Sequence, residues 1–101
     1  MKLLTKELIK KIPPIYTHAE SKPENVPVIV KFFTPWSNWT WYVTEGEQEG
    51  DDWRFFGYVE GFEKELGYFM LSELAGVTGP AGLKIERDIH FDDRTLADVM
   101  Q

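Results

Sequence analysis

Glu86, Asp88 and His90 stand at alternate positions in the segment IERDIHF. On an extended strand alternate side chains share a face. Two carboxylates and an imidazole on one face can hold a divalent cation and leave positions open for water or substrate. That is the chemistry of a small metal-dependent enzyme. Any solvated strand face gives the same alternation, however, and no fourth ligand stands at a recognisable spacing, so the metal site is the minor reading. An acid and base pair drawn from Glu73, Glu86 and Asp88 needs the fold to bring its members together. Nucleophilic catalysis has less to build on. The chain has no cysteine, and none of its serines, Ser21, Ser37 and Ser72, sits in a glycine-flanked elbow. His18 and His90 are far apart, no glycine-rich phosphate loop is present, and no cofactor is implied.

Binding chemistry is better represented. Between Glu45 and Asp52 lie five acids and no base. Such a run is ordinarily a solvated hairpin tip. Its sharper reading is a ridge, with Glu47, Glu49, Asp51 and Asp52 imitating phosphates in the groove of a nucleic-acid enzyme. Aromatic residues flank it, Trp36, Trp39 and Trp53 among them. Most of the aromatics serve as core in a chain this small. The rest have two alternatives. They could stack single-stranded bases, with Lys31 and Arg54 for the phosphates, or anchor a basic protein partner or a second copy of the chain. The net charge of −6 repels polyphosphate and disfavours the nucleic-acid reading.

The elements that must position these residues centre on Asn38 to Phe62. Thr40 to Glu45 and Trp53 to Glu60 read as the arms of a hairpin, joined by a loop over Gly46 to Asp52. Trp39, Trp41 and Val43 share one face of the first arm, and Trp53, Phe55, Gly57 and Val59 one face of the second. Both faces of the sheet carry aromatics. Ahead of the hairpin, Thr5 to Ile12 reads as an amphipathic helix capped by Thr5, with Leu4, Leu8, Ile9 and Ile12 on its apolar side. Pro13 and Pro14 end it. Tyr16 to Pro27 reads as a mobile loop, and Val28 to Phe33 as a central strand. After the hairpin come a polar connector over Gly61 to Gly67, a strand from Tyr68 to Leu71, and a helical turn capped by Ser72 and stopped at Gly76. Val77 to Gly82 is a turn cluster, Leu83 to Phe91 an extended segment, and Thr95 to Met100 a closing helix. The class is α+β, one domain over residues 1–101, with four or five antiparallel strands, the N-terminal helix on one face and short helices at the edges.

Several blocks are distinctive: LLTKEL, the Pro13-Pro14-Ile15-Tyr16 run, VKFFTP, NWTWY, FFGYVEGFEKELGYFMLSEL and GLKIERDIHF. With them the chain, from Leu3 to about Phe91, resembles an uncharacterised family of small bacterial proteins, a domain of unknown function often encoded on plasmids, integrated elements and phages. The resemblance supplies no catalytic residue. It implies a mobile-element setting and hence an accessory or inhibitor of host defence. No apolar run approaches the roughly 20 residues of a membrane span, and Met1 to Lys11 lacks the apolar core of a signal peptide. The expectation is a cytoplasmic, non-enzymatic interaction protein with a protein partner and no membrane.

Overall fold

The computed structural model describes residues 1–101. Thr40 to Glu60 forms the predicted hairpin, but with longer arms. β3 runs Thr40–Glu49 and β4 runs Asp52–Glu60. The expected loop over Gly46 to Asp52 therefore shrinks to Gly50 and Asp51, with Glu49 paired to Asp52. Gly50 takes φ +62°, the left-handed conformation that a two-residue hairpin turn requires and glycine adopts without strain.

β3 and β4 stay in register from Thr40↔Glu60 to Val43↔Gly57, then shift by one residue at Thr44. This bulge changes which residues face which way. Beyond it Gly46 lies on the core face opposite Phe55, and Glu45 lies on the other face opposite Phe56. Gly46 has to be small there. A Cβ on it would stand 2.9 Å from the Phe55 ring and 3.2 Å from Ile12.

β2 (Val30–Phe33) pairs with β3, and β5 (Lys64–Met70) with β4. β6, only Glu86–Arg87, returns antiparallel beside β2, which gives the sheet order β5-β4-β3-β2-β6. The expected central strand over Val28 to Phe33 divides at Ile29. Its first part, β1 (Pro27–Val28), pairs instead with β7 (Arg94–Thr95) in a small second sheet. Within the main sheet β2 is flanked on both sides, as its apolar pattern requires.

On one face Val30, Phe32, Trp41, Val43, Phe55 and Phe69 form the main core with Leu4 and Ile12, which flank α1 (Lys6–Lys11), and with Leu74 of α2 (Leu71–Ala75). Thr5 caps α1 by accepting from the Leu8 N–H. Ile9, expected on the apolar side, is exposed; a helix this short buries only a narrow stripe. The opposite face carries a smaller cluster, Val26, Tyr58 and Leu96, with Tyr42 and Val99 against it. It is covered by the 14–26 segment and α3 (Leu96–Val99).

Three further expectations change. The connector over Gly61 to Gly67 is only Gly61 to Glu63, because β5 begins at Lys64 rather than Tyr68. An edge strand with one solvated face can be polar at its start. Ser72 does not cap α2: Met70 holds the cap position, and its N–H donates to Glu73 at 2.9 Å. The segment Tyr16 to Pro27 is tied down rather than loose, since the Tyr16 and His18 N–H groups donate to the Glu45 carboxylate at 2.8 and 3.0 Å. No helix is long and apolar enough to cross a membrane.

Candidate functional site

The residues proposed for metal binding do not assemble. Glu86 lies in β6 opposite Phe33. Asp88 leaves the strand, pairs with Lys31 at 3.7 Å and accepts the His90 N–H at 2.9 Å. That local bond folds Asp88 to Phe91 into a turn, so the alternation expected over Leu83 to Phe91 stops after Arg87. Ile85 is buried, whereas Ile89, which unbroken alternation from Ile85 would bring to the same side, is 64% exposed. Nowhere do three or more His, Cys, Asp or Glu side chains gather in a metal-holding group.

Asp88 and His90 line a polar hollow of about 380 Å³ with Lys31, Tyr42, Glu60 and Arg94. Burial, and then the Glu60 carboxylate, push the Tyr42 phenol above the ordinary tyrosine range. It is therefore protonated at neutral pH and offers a hydrogen bond rather than a base. Sequence spacing gave no sign of this hollow, because the side chains come from β2, β3, β4 and the C-terminal segment.

The carboxylates of the hairpin tip are largely engaged. Arg54 pairs with Glu47 at 3.7 Å and with Glu49 at 3.4 Å. The Glu49 contact lacks hydrogen-bond alignment, and the buried Nε of Arg54 has no hydrogen-bond partner. Asp52 accepts the Ser72 N–H at 3.0 Å, the Ser72 hydroxyl at 2.5 Å and its neighbour's N–H at 2.8 Å. Of the four ridge acids only Asp51, in the turn, makes no such contact. Glu45, at the start of the acidic run, is 3% exposed and belongs to the interior.

The Ser72 hydroxyl foremost, then the Trp53 N–H, hold Asp52 below the usual carboxylate range; the Thr95 N–H and hydroxyl do the same for Asp98. Depressed folded values contribute stability that is present above the unfolded carboxylate pKa of about 4 and disappears as pH falls through the folded values. Thermal midpoints measured from pH 5 downward should therefore drop below about pH 4, and Asp52→Asn should flatten part of that drop. An unchanged acid-side slope in the variant would count against the assignment.

The aromatics proposed for partner binding separate into two places. Trp53 stacks on Phe55, ring centroids 6.3 Å apart, beside the tip. Trp36 and Trp39 lie at the other end of the hairpin, where they line a cleft of about 430 Å³ with Trp41, Thr34, Ser37 and Val77. A strand of ten residues is about 30 Å long at about 3.3 Å per residue, so no single patch joins the acids to Trp36 and Trp39. Two glycines let the cleft form. A Cβ on Gly79 would stand 2.5 Å from the Trp36 indole, and one on Gly61 2.3 Å from that of Trp39. Trp39 stacks on Trp41 at 5.7 Å and receives Phe62 edge-on at 5.3 Å. Phe62 is 95% exposed, a residue the sequence reading passed over inside its polar connector.

The cations named for phosphate contacts are both occupied. Arg54 lies over Tyr68 besides its acidic partners, and Lys31 over Tyr42 besides Asp88.

Fold and surface together define a small α+β protein with one compensated acidic tip and one open aromatic end. The chain belongs to the family described as Protein of unknown function (DUF2958), whose model matches residues 3–99. No curated protein and no solved structure matches the chain.

Proposed function

We propose that this is a small, acidic, non-enzymatic interaction protein of a mobile genetic element, acting in the cytoplasm on a protein partner. A host enzyme of nucleic-acid handling or defence is the partner class. The observation that carries the reading is Phe62, almost wholly in water yet held edge-on against Trp39 at the mouth of the tryptophan cleft. Burying a phenylalanine side chain is worth about 2 kcal/mol, and exposed aromatics beside a preformed cleft are the usual anchors of an interface. The mobile-element setting rests on the family resemblance alone. Binding through the acidic ridge is the weaker form of the proposal, since Glu47 and Glu49 already share Arg54 and Asp52 serves α2.

Affinity capture from a nuclease-treated bacterial lysate tests it, comparing native protein with Phe62→Ser and with Glu47→Lys/Asp51→Lys, which spares Asp52. One stoichiometric protein should be retained by the native chain and by the hairpin variant, and fall about tenfold or more with Phe62→Ser. Retention lost only in the hairpin variant would move the surface to the tip. A captured set identical across all three would end the proposal.

A further inference from the structure

The two edges of the main sheet are treated differently. At β6 the N-terminal segment closes the edge: the Arg87 N–H reaches Met1 Sδ at 3.1 Å, and the Arg87 guanidinium donates to the carbonyls of Lys2 and Leu3 at 2.7 and 3.3 Å. At the other edge β5 runs for seven residues with no bulge and no proline. Bulges, proline and outward charges are the devices that keep such an edge from pairing. The one lysine of β5, Lys64, is drawn back to Glu60 at 3.7 Å.

The direction of the backbone groups on β5 follows from its neighbours. The Met70 N–H donates to Glu73, away from β4, and the Phe56 carbonyl, opposite Tyr68, accepts the Thr44 hydroxyl on the β3 side. Alternate residues of an antiparallel strand point their N–H and C=O groups to opposite sides. Lys64, Leu66 and Tyr68 therefore turn theirs outward. Outside the sheet ladder no backbone hydrogen bond involves residues 64 to 69. Leu66 and Tyr68 are 45% and 51% exposed, next to the exposed Tyr16.

We propose that a second copy of this chain pairs with β5, antiparallel and centred on Gly67, to make one continuous sheet across the two molecules. That register is self-complementary. It sets Leu66 opposite Tyr68 of the second copy on both sides of the dyad, in the positions whose outward groups exchange hydrogen bonds. Leucine against an aromatic is a favourable cross-strand pair. Glu65 falls opposite Phe69 and Lys64 opposite Met70, so no like charges meet. Gly67 meets Gly67 at the dyad, where a Cβ would touch nothing within 4 Å of its own molecule.

Sedimentation velocity over a concentration series reads the result directly. The native chain is expected to be a dimer. Leu66→Pro removes an outward donor without touching the β4 ladder. Leu66→Lys/Tyr68→Lys sets like charges directly across the dyad. Both variants should be monomers with an unchanged far-ultraviolet dichroism spectrum. A native chain that stays monomeric at millimolar concentration overturns the proposal, as does a dimer that persists in both folded variants. A native monomer whose lysate partner is lost with Leu66→Pro would assign the edge to an extended segment of another protein, and so also overturns pairing with a second copy. The Phe62 result is independent of all three, because that side chain lies in the loop before β5.

Discussion

Gly57→Ala should lower the thermal midpoint by more than about 12 °C, whereas Gly67→Ala, its neighbour in the same cross-strand row, should leave it level or raise it. Val43, Gly57 and Gly67 lie side by side on β3, β4 and β5. A Cβ on Gly57 would fall 1.8 Å from the Tyr42 carbonyl oxygen and 2.8 Å from its carbon. Those atoms are backbone of the adjoining strand, so no side-chain rotation relieves the contact. The strands would have to move apart beside the Thr44 bulge, where the ladder register already shifts by one residue. Overpacking of this kind costs about 3 kcal/mol or more, and each kcal/mol moves the midpoint of a domain this size by about 4–8 °C. At Gly67 nothing lies within 4 Å of the added carbon. There alanine only reduces the freedom of the unfolded chain, a gain of about 0.4–1 kcal/mol. Dichroism melts of the two variants and the native chain decide the matter. A Gly57→Ala midpoint within a few degrees of native would mean that the strand approach is softer than the geometry states.

The hairpin and its sidedness were legible because tryptophan, tyrosine and valine alternate cleanly through NWTWYV and FFGYVE. Trp41 does lie across from Val59, and Val43 from Gly57. What hid the rest is charge. Gly46 to Glu49 continues β3, but its acids read as loop; they are tolerated on a strand because Arg54 of β4 lies between Glu47 and Glu49. The start of β5, KELG, was lost for a similar reason, since an edge strand with a wet face needs little apolar patterning. The alternation in IERDIHF was genuine as far as Arg87, and then Asp88 bonded its own chain and turned it. Of the residues proposed for partner binding, the sequence could not show which lie together. Trp36 and Trp39 do share a cleft, but the hairpin's length carries the acids away from it, and Phe62 stood in a segment that composition marked as polar.

Glu45→Gln should destabilise the protein by about 2–4 kcal/mol although it changes neither size nor shape. Without the bulge at Thr44, Glu45 would keep the phase of Trp41 and Val43 and bring a carboxylate into the main core, at a cost of several kcal/mol. The one-residue shift puts it on the opposite face, where the chain after Pro14 passes over it. There its two oxygens meet two backbone donors, Tyr16 N–H on Oε1 at 2.8 Å and His18 N–H on Oε2 at 3.0 Å. Tyr16 adopts φ +76°, a left-handed conformation that a bulky residue holds only when its surroundings enforce it. The carboxylate supplies that enforcement and satisfies two N–H groups the loop would otherwise bury or expose. Glutamine offers one acceptor and one donor. Whichever way its amide turns, an –NH2 group faces a backbone N–H, so one bond is lost and a repulsive contact replaces it. Glu47→Gln, on an exposed and salt-screened side chain of the same strand, should change stability by less than about 0.5 kcal/mol. Urea unfolding of both variants gives the energies, and amide hydrogen exchange gives the place: Tyr16 and His18 should lose protection in Glu45→Gln while Phe32 and Phe55 keep theirs under native conditions. Equal stability of the two variants, or unchanged protection at Tyr16 and His18, would mean that the loop is held by packing of Ile15 and Val26 rather than by this carboxylate.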